Sequence, residues 1–184
     1  DSSAIKNVTF NGLTINLNQT AQSQGKTYLG SIAGISTVST INKVNVKNVT
    51  LRISQNENYA YVGGFVGYAE GSKIVNSIFD GAIKANFVGL NKEPIRVGGI
   101  VGYVKAQNMH IENNFIRLSN ATELEADANT QYGILIGAIT KSVSFTQIIN
   151  NYYQNFSKLI KVCGYGSLDK SNQVGSERNI EEYI

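Results

Sequence analysis

The sequence has very few of the residues that usually carry catalysis or cross-linking. Its 184 residues include one cysteine, one histidine, one proline and no tryptophan. A single cysteine excludes an internal disulfide, so cysteine usage does not indicate a redox compartment. A single histidine also excludes the zinc-protease signature, in which two histidines flank a glutamate. With 18 glycines and 42% hydrophobic residues, the composition is typical of a folded, β-rich protein with polar turns.

Charged residues and long apolar runs are also scarce. Only 16% of the residues are charged, and the net charge of +3 comes from basic and acidic residues scattered along the chain. Nucleic-acid binding normally needs clustered Lys and Arg, so we expect no nucleic-acid partner. No run of about 18 apolar residues is present, which predicts no membrane insertion. The chain opens without a signal-peptide pattern, and we expect it to be a mature form or an excised fragment.

A glycine-bearing heptapeptide recurs along the chain. The copies are Tyr28-Leu-Gly-Ser-Ile-Ala-Gly34, Tyr61-Val-Gly-Gly-Phe-Val-Gly67, Arg96-Val-Gly-Gly-Ile-Val-Gly102 and Gln131-Tyr-Gly-Ile-Leu-Ile-Gly137. Their closing glycines, Gly34, Gly67, Gly102 and Gly137, are 33, 35 and 35 residues apart. A fixed period of this length is typical of stacked structural repeats. Several glycines within seven residues would weaken a helix by about 1 kcal/mol each, so the motif is interpreted as strand.

The pattern predicts an all-β protein folded as a parallel β-solenoid of about four repeat units with a period of 33–35 residues. Each unit has three short strands and one variable loop. Residues 5–15 resemble the second half of a unit, matching residues 41–51. We expect a repeat domain over residues 1–166 and a cap or linker over residues 167–184, whose last seven residues are a short helix or the start of another module.

The stretch Val62-Gly-Gly-Phe-Val-Gly67, followed by Lys73-Ile-Val-Asn-Ser77 and Gly81, resembles the GLUG repeat, and Val97-Gly-Gly-Ile-Val-Gly102 repeats its core. GLUG repeats occur in secreted and surface-attached microbial proteins, including non-catalytic regions of immunoglobulin-A-cleaving metalloproteases and large adhesins. The resemblance covers residues 28–153 and implies an extracellular repeat module. Ser31 and Ile134 replace the second glycine, represented elsewhere by Gly64 and Gly99, in the first and fourth copies.

Asparagine recurs at nearly equivalent places after each motif, as Asn42, Asn76, Asn113 or Asn114, and Asn150 or Asn151. Stacked amide side chains hydrogen-bond from one strand to the next in Asn ladders. These residues are therefore interpreted as structural ladders or turns.

Two groups of residues are candidates for binding. Tyrosines cluster near the unit boundaries, and tyrosine offers rigid contact area with a polar tip. One candidate set is Tyr61, Tyr68, Tyr103, Lys92 and Arg96, although such tyrosines are also ordinary strand aromatics that cover a stack. The other set is the pair of variable loops at residues 86–95 and 120–130. Any binding is predicted at these loops rather than on the repeated strands, because a rigid scaffold leaves loops free to meet partners. The partners considered are a host surface protein, a glycan and neighbouring domains of the same chain.

Residues suited to metal binding or catalysis form no recognisable signature. Glu123, Glu125 and Asp127 are weak calcium candidates, but they lack the glycine-centred calcium-loop pattern. We therefore predict no metal, no cofactor and no catalytic residue. His110, Cys163 and Glu112 are expected to be structural or merely exposed. The remaining acids singled out, Glu70 and Asp80, fall in different units from Glu112.

The sequence thus predicts a non-catalytic extracellular or cell-surface module that acts as a spacer or an adhesive surface. Two alternatives belong to other classes. A carbohydrate-active β-helix enzyme would need paired carboxylates flanking the scissile bond, and no acid recurs at the motif. A self-assembling lattice or filament subunit would use the open ends of the solenoid, where backbone groups lack partners.

Overall fold

The computed structural model describes residues 2–19, 25–55, 59–87, 95–105, 107–124, 130–140, 146–154, 161–166 and 175–177. Within these ranges the regular structure is all β, with no helix. The strands are β1 (Ala4–Asn11), β2 (Thr14–Gln19), β3 (Thr27–Gly30), β4 (Ala33–Thr37), β5 (Thr40–Gln55), β6 (Ala60–Gly63), β7 (Val66–Glu70), β8 (Lys73–Val75), β9 (Ile78–Phe87), β10 (Ile95–Gly98), β11 (Val101–Lys105), β12 (His110–Glu112), β13 (Phe115–Leu118), β14 (Glu123–Leu124), β15 (Gln131–Gly133), β16 (Ile136–Ile139), β17 (Gln147–Ile149), β18 (Asn151–Tyr153), β19 (Cys163–Tyr165) and β20 (Gly175–Glu177).

The strands form three parallel sheets that wind into a β-solenoid, which confirms the predicted fold class. Sheet 1 has 11 strands and includes the long strands β5 and β9. Sheet 2 has the order β15-β10-β6-β3, and sheet 3 has the order β19-β16-β11-β7-β4. Each glycine motif crosses from sheet 2 to sheet 3, and the chain then returns through sheet 1.

The solenoid has about three turns, where the sequence predicts about four repeat units. The difference follows from how a stack is counted. Four motif strands, β3, β6, β10 and β15, lie side by side in sheet 2 and enclose three turns between the first and the last. The repeat period is therefore correct, and the number of turns is one lower than the number of motif copies.

The opening strands continue the stack, as the likeness between residues 5–15 and 41–51 predicts. Ile5 lies in register with Ile41, and Ile15 lies in register with Leu51. β5 is longer than expected, because its 16 residues form one strand where the pattern indicates two. The register of β5 against β9 shifts between Lys47 and Val49, and Asn48 between them has a φ of 52°. A bulge at this point bends the strand without ending it.

The core is a continuous column of aliphatic and phenyl side chains enclosed by the three sheets. Its largest fully buried members include Phe65, Phe79 and Phe115. The Phe65 and Phe79 rings meet edge to face with centroids 6.0 Å apart. Side chains from successive turns lie directly above one another because the strands are in register. Each turn thus buries its apolar surface against the next, as expected for a solenoid.

The segment predicted to be a cap or linker contributes one strand. β20 pairs in parallel with β18, so residues 175–177 extend sheet 1 by one strand. The short helix considered for residues 178–184 lies outside the described residues. Among the described residues no helix is long and apolar enough to cross a membrane.

Candidate functional site

Four of the five residues predicted to bind a partner lie together on one surface. Tyr61 is on β6, Arg96 on β10, Tyr68 on β7 and Tyr103 on β11. The parallel registers place Arg96 beside Tyr61 in sheet 2 and Tyr103 beside Tyr68 in sheet 3. Lys92 lies outside the described residues. We call the surface formed by Tyr28, Tyr61, Tyr68, Arg96 and Tyr103 the tyrosine–arginine patch.

The rings of the tyrosine–arginine patch form a stack that crosses between two sheets. Tyr61 and Tyr103 have ring centroids 4.9 Å apart and planes 17° apart. Tyr68 and Tyr103 are also nearly parallel, with centroids 5.8 Å apart. Tyr28 meets the edges of Tyr61 and Tyr68 at 5.5 and 6.0 Å. Tyr61 is only 5% exposed and forms the floor, while Tyr28, Tyr68 and Tyr103 are half-buried around it.

Arg96 lies over this stack. Its Cζ atom is 4.4 Å from the ring centroid of Tyr103 and 5.3 Å from that of Tyr61, which is cation–π geometry. Nε donates a hydrogen bond to Gln131 Oε1 at 3.0 Å, and Nη1 donates to the Tyr61 hydroxyl at 3.4 Å. The planar guanidinium is therefore held in one orientation by three neighbours.

The sequence reasoning missed Tyr28, which belongs to the patch, and Gln131, which accepts a hydrogen bond from Arg96. Tyr28, Tyr61, Arg96 and Gln131 lie in one register column across sheet 2. All four occupy the first position of the four glycine motifs. Aligning the repeats column by column, rather than searching for clustered tyrosines, would have found them.

A carboxylate and a lysine border the patch. Lys105 Nζ donates to Glu70 Oε1 at 2.6 Å, and the Tyr68 hydroxyl donates to Glu70 Oε2 at 3.0 Å. The hydrogen bonds from Lys105 and from Tyr68 hold the pKa of Glu70 below its usual value. Burial, together with the hydrogen bond to Glu70, raises the pKa of Tyr68 to about 12. Burial likewise raises the pKa of Tyr61, although Arg96 opposes that shift.

The repeated glycines bring the two tyrosine-bearing sheets into contact. A Cβ atom at Gly67 would lie 2.8 Å from the Tyr61 carbonyl oxygen, and one at Gly102 would lie 2.5 Å from the Val62 nitrogen. Both contacts are with backbone of sheet 2, which cannot move aside as a flexible side chain can. Gly34, Gly67, Gly102 and Gly137 occupy equivalent positions along sheet 3, as their spacing predicts. The motif thus fixes the distance at which Tyr61 meets Tyr68 and Tyr103.

In the second and third copies the second glycine of the motif, Gly64 or Gly99, lies directly against backbone of the next turn. A Cβ atom at Gly64 would lie 2.0 Å from the Gly99 carbonyl oxygen, and one at Gly99 would lie 2.2 Å from that of Ile134. In the first copy Ser31 takes this place, and its hydroxyl donates to the Gly64 carbonyl oxygen at 2.5 Å. In the fourth copy Ile134 takes it and joins the core.

Asparagines form two ladders beside one corner of the solenoid. On the outside, Asn76 Nδ2 donates to Asn42 at 3.2 Å and Asn113 Nδ2 donates to Asn76 at 3.4 Å. On the inside, fully buried Asn114 donates to Asn151 Oδ1 at 3.0 Å and accepts from the Ser77 nitrogen at 3.1 Å. The position of Asn76 and Asn113 has positive φ in successive turns, where it is occupied by Asn7, Lys43, Asn76, Asn113 and Asn150. Asparagine tolerates this conformation better than most residues, which explains its recurrence there. Asn42, predicted to be equivalent to Asn76, lies one residue earlier, in register with Val75.

The acidic candidates for metal binding are only partly described. Glu123 forms an ion pair with Lys84 at 2.7 Å, while Glu125 and Asp127 lie outside the described residues. Across the described part of the chain, no three His, Cys, Asp or Glu side chains come together as a metal site.

The residues considered for catalysis are dispersed. Glu70 pairs with Lys105, and Asp80 pairs with Arg117 through both carboxylate oxygens. Glu112 lies between Val75 and Ile149 in sheet 1, and His110 lies between Lys73 and Gln147. Cys163 donates a hydrogen bond to the Tyr165 carbonyl oxygen, and burial raises the pKa of its thiol. Since the thiolate is the nucleophilic form, this shift makes Cys163 less reactive.

Comparison with known proteins gives one match. Residues 58–84 match the family model described as the GLUG motif. This range contains the motif copy Tyr61–Gly67 with its β6, β7, β8 and part of β9. No curated protein and no solved structure is significantly similar to the chain. The chain therefore carries a GLUG-type repeat, as the resemblance of residues 62–81 implies.

Proposed function

We propose that this GLUG-type β-solenoid is a non-catalytic module of a larger secreted or cell-surface protein, where it acts as a spacer that carries an adhesive surface. The tyrosine–arginine patch is the observation that supports this proposal most directly. It joins side chains from three successive motif copies into one half-buried surface, with Tyr28, Tyr61 and Arg96 in a single column. A surface that needs several turns is a property of the assembled array and not of one repeat.

The role as a spacer is supported by the way the turns join. The described strand pairings are parallel, and β5 and β9 stay paired on both sides of the one register shift at Asn48. The core runs from turn to turn without a break. An array of this kind grows along one axis and keeps a constant cross-section. It would hold an attached domain, or its own patch, at a defined distance from the rest of the protein.

The proposal that the module is not an enzyme is supported by the ion pairs that its acidic side chains form. Glycoside hydrolysis normally uses two carboxyl groups about 5–9.5 Å apart on either side of the bond. Glu70, Asp80 and Glu123 each form an ion pair with a basic side chain. At Glu70 the hydrogen bonds from Lys105 and Tyr68 hold the pKa of the carboxyl below its usual value, which disfavours the protonated form that a general acid needs. A glycan-cleavage screen with the purified chain tests this part, and hydrolysis of any glycan would contradict it.

The adhesive role is tested by coating beads with the full chain and measuring their retention on host-cell layers and on immobilised glycans. We expect retention above that of beads coated with an unrelated β-protein. The predicted loops at 86–95 and 120–130 include residues of β9, β10 and β14, and their parts 88–94 and 125–129 lie outside the described residues. Deleting 88–94 and 125–129 in separate variants compares this alternative surface with the patch. If neither the parent nor any variant is retained on any surface, the adhesive role is wrong and only the spacer role is left.

Self-assembly is the second candidate function, because one end of the solenoid exposes apolar side chains. β3 and β4 are the outermost strands of sheets 2 and 3. Near them, Ile35 is 52% exposed and Val38 is 62% exposed, and Ile35 and Ile5 line a groove of about 230 Å³. An open edge with apolar side chains is a template for another strand. Light scattering across a range of concentrations tests this function, and a monomer at every concentration would exclude it.

A further inference from the structure

The charge of Arg96 is not balanced by any acid in the described part of the chain. The ion pairs among these residues join Lys84 with Glu123, Lys105 with Glu70 and Arg117 with Asp80. Arg96 instead faces two aromatic rings, one amide and one hydroxyl. It is half-buried, so water screens its charge less than that of an exposed arginine. The patch therefore holds a positive charge in a partly dehydrated position.

Arg96 also has hydrogen-bond donors to spare. A guanidinium has five N–H donors in a rigid fork. Two of them are used, on Nε and on Nη1, for Gln131 and Tyr61. Within the described part of the chain, one donor on Nη1 and both donors on Nη2 are left, which is enough for two oxygens of one anionic group. Arginine held in a fixed plane is especially suited to carboxylate and to oxyanions of similar geometry.

The rest of the patch suits a ring-shaped ligand with both apolar faces and hydroxyl groups. Tyr28, Tyr68 and Tyr103 present half-buried rings around the buried Tyr61. Tyrosine combines an apolar ring face with a polar tip, the two kinds of contact that a sugar ring makes. At the border, the Glu70 carboxylate accepts from Lys105 and Tyr68, and carboxylate oxygens have room for further donors such as a sugar hydroxyl.

The location of the patch disfavours an extended peptide as its ligand. Peptides commonly bind β-proteins by adding a strand to an open sheet edge. Arg96, Tyr61, Tyr68 and Tyr103 lie on β10, β6, β7 and β11, which are interior strands of sheets 2 and 3, so their backbone groups are already paired on both sides. Only Tyr28 lies on an edge strand, β3. Recognition at Arg96 and the rings beside it therefore uses side chains, which supply one fixed cation and a group of tyrosines.

From these observations we infer that the tyrosine–arginine patch binds an acidic saccharide. The anionic group pairs with the guanidinium of Arg96. Because Tyr68 and Tyr103 stack on each other and Arg96 covers Tyr103, the sugar ring lies against the edges and hydroxyl groups of these two tyrosines. Lys26, exposed with its Nζ atom 5.4 Å from the Tyr59 ring centroid, extends the positive potential along the same side. This inference rests on the proposed adhesive function and specifies its ligand class.

The experiment measures binding of the full chain to defined saccharides by isothermal titration calorimetry. The probes are a hyaluronan oligosaccharide, whose charge is carboxylate, a sulfated dextran oligosaccharide and an uncharged dextran oligosaccharide. We expect at least one acidic probe to bind, with an affinity that falls as salt rises, and the uncharged probe to bind far more weakly. The two acidic probes distinguish carboxylate from sulfate. Binding of the uncharged probe as tightly as both acidic probes, or of no acidic probe, would overturn the inference.

Variants locate the site. Arg96→Gln should lower affinity for the acidic probe by about tenfold or more, as expected for a lost charge-assisted hydrogen bond. Arg96→Lys keeps the positive charge but loses the planar set of guanidinium donors, so it should lower the affinity for the acidic probe by a smaller factor. The matched control is Arg52→Gln, an exposed arginine on β5 in sheet 1, which should bind within about twofold of the parent. Equal loss in the Arg52 and Arg96 variants would show nonspecific attraction and refute the site.

Folding and function are checked separately. If Arg96→Gln fails to fold, two variants of Tyr68 test the site instead. Tyr68→Phe removes only the hydroxyl and keeps the ring, whereas Tyr68→Ala removes both. Tyr68→Phe should therefore lower the affinity for the acidic probe less than Tyr68→Ala does. The retention assay separates this inference from the proposed function. If coated beads are retained but neither acidic probe binds, the acidic-saccharide inference is wrong and the adhesive function is left in place. If the beads are not retained and neither acidic probe binds, both the inference and the adhesive function are wrong.

Discussion

Tyr61 and Tyr103 stack with their ring centroids 4.9 Å apart, although they belong to different sheets. Tyr61 opens one glycine motif, and Tyr103 directly follows the next one along the chain. Forty-one residues separate them in the chain, so the contact exists only when the solenoid has wound by a full turn. The tyrosine–arginine patch therefore forms only after successive turns of the solenoid have folded against each other.

This stack should contribute measurably to stability. Aromatic pairs are worth about 0.5–1.5 kcal/mol beyond the area they bury. A double-mutant cycle with Tyr61→Leu and Tyr103→Leu should therefore give a coupling free energy of about 1 kcal/mol in urea unfolding. Tyr165→Leu, at an exposed position on β19, is the control partner for Tyr61→Leu and should show no coupling. Additive effects for Tyr61 and Tyr103 would mean that the rings pack without specific interaction.

The closing glycines should tolerate no side chain. At Gly102 a Cβ atom would lie 2.5 Å from the backbone nitrogen of Val62, so Gly102→Ala must push sheets 2 and 3 apart. We expect a loss of about 3 kcal/mol in the free energy of unfolding, at the upper end for overpacking. Gly25→Ala is the control, because a Cβ atom there meets nothing within 4 Å. Chemical denaturation measures both, and equal stability of the two variants would contradict the role given to the motif.

The fold could be predicted because its signals are periodic. Glycines that recur at a fixed period mark the places where backbones touch, and Asn76 and its equivalents mark the corner with positive φ. β5 was predicted as two strands because Lys47 and Asn48 interrupt its apolar alternation. Only the pairing with β9, which continues on both sides of the bulge, shows that the strand is unbroken.

The candidate site was predictable only in part. The tyrosines were visible as a cluster in the sequence, but their contacts depend on how sheets 2 and 3 approach each other. Arg96 replaces tyrosine in the first position of its motif, and this substitution places a cation in an aromatic column. The ion pairs Lys84–Glu123 and Arg117–Asp80 join residues 39 and 37 positions apart, a separation set by loop lengths that no local pattern indicates.

The buried asparagine ladder should matter more than the exposed one. Asn114 is fully buried, and its side chain bonds the Ile74 carbonyl oxygen at 2.8 Å as well as Asn151 and the nitrogen of Ser77. Asn114→Ala removes the side-chain partner of the Ile74 carbonyl oxygen and of the Ser77 nitrogen, whereas Asn151 Oδ1 keeps its bond from the Asn114 nitrogen. Each buried group left unsatisfied costs about 1–3 kcal/mol. We expect a total loss of about 3 kcal/mol in the free energy of unfolding, measured by urea denaturation.

The control for the buried ladder is Asn76→Gly in the exposed one. Glycine accepts the positive φ of 54° at this position, so the variant loses only two exposed hydrogen bonds. Its loss should stay below about 1 kcal/mol. A larger loss for Asn76→Gly than for Asn114→Ala would show that the outer ladder, and not the inner one, holds the turns together.

The Glu70–Tyr68 hydrogen bond predicts a pH dependence at both ends of the scale. The folded state lowers the pKa of Glu70, so its contribution is present above the pKa of the unfolded chain and is lost as pH falls through the folded value. The folded state raises the pKa of Tyr68 from 10.0 to about 12, so its contribution is present below pH 10.0 and is lost as pH rises towards 12. Stability should therefore fall in acid and again in strong base.

Two variants assign these changes. In Glu70→Gln the free energy of unfolding should fall less as pH is lowered than it does in the parent, because the carboxyl group that takes up a proton has been removed. In ultraviolet titration of the folded chain, Tyr68→Phe should lack one tyrosine that ionises near pH 12, while the other transitions keep their amplitude. Tyr165→Phe is the matched control, since Tyr165 is 58% exposed. Tyr68→Phe could instead remove a tyrosine that ionises near pH 10, the ordinary value. In that outcome the Tyr68 hydroxyl of the parent chain is not held by Glu70, and Lys105 alone orients the Glu70 carboxylate.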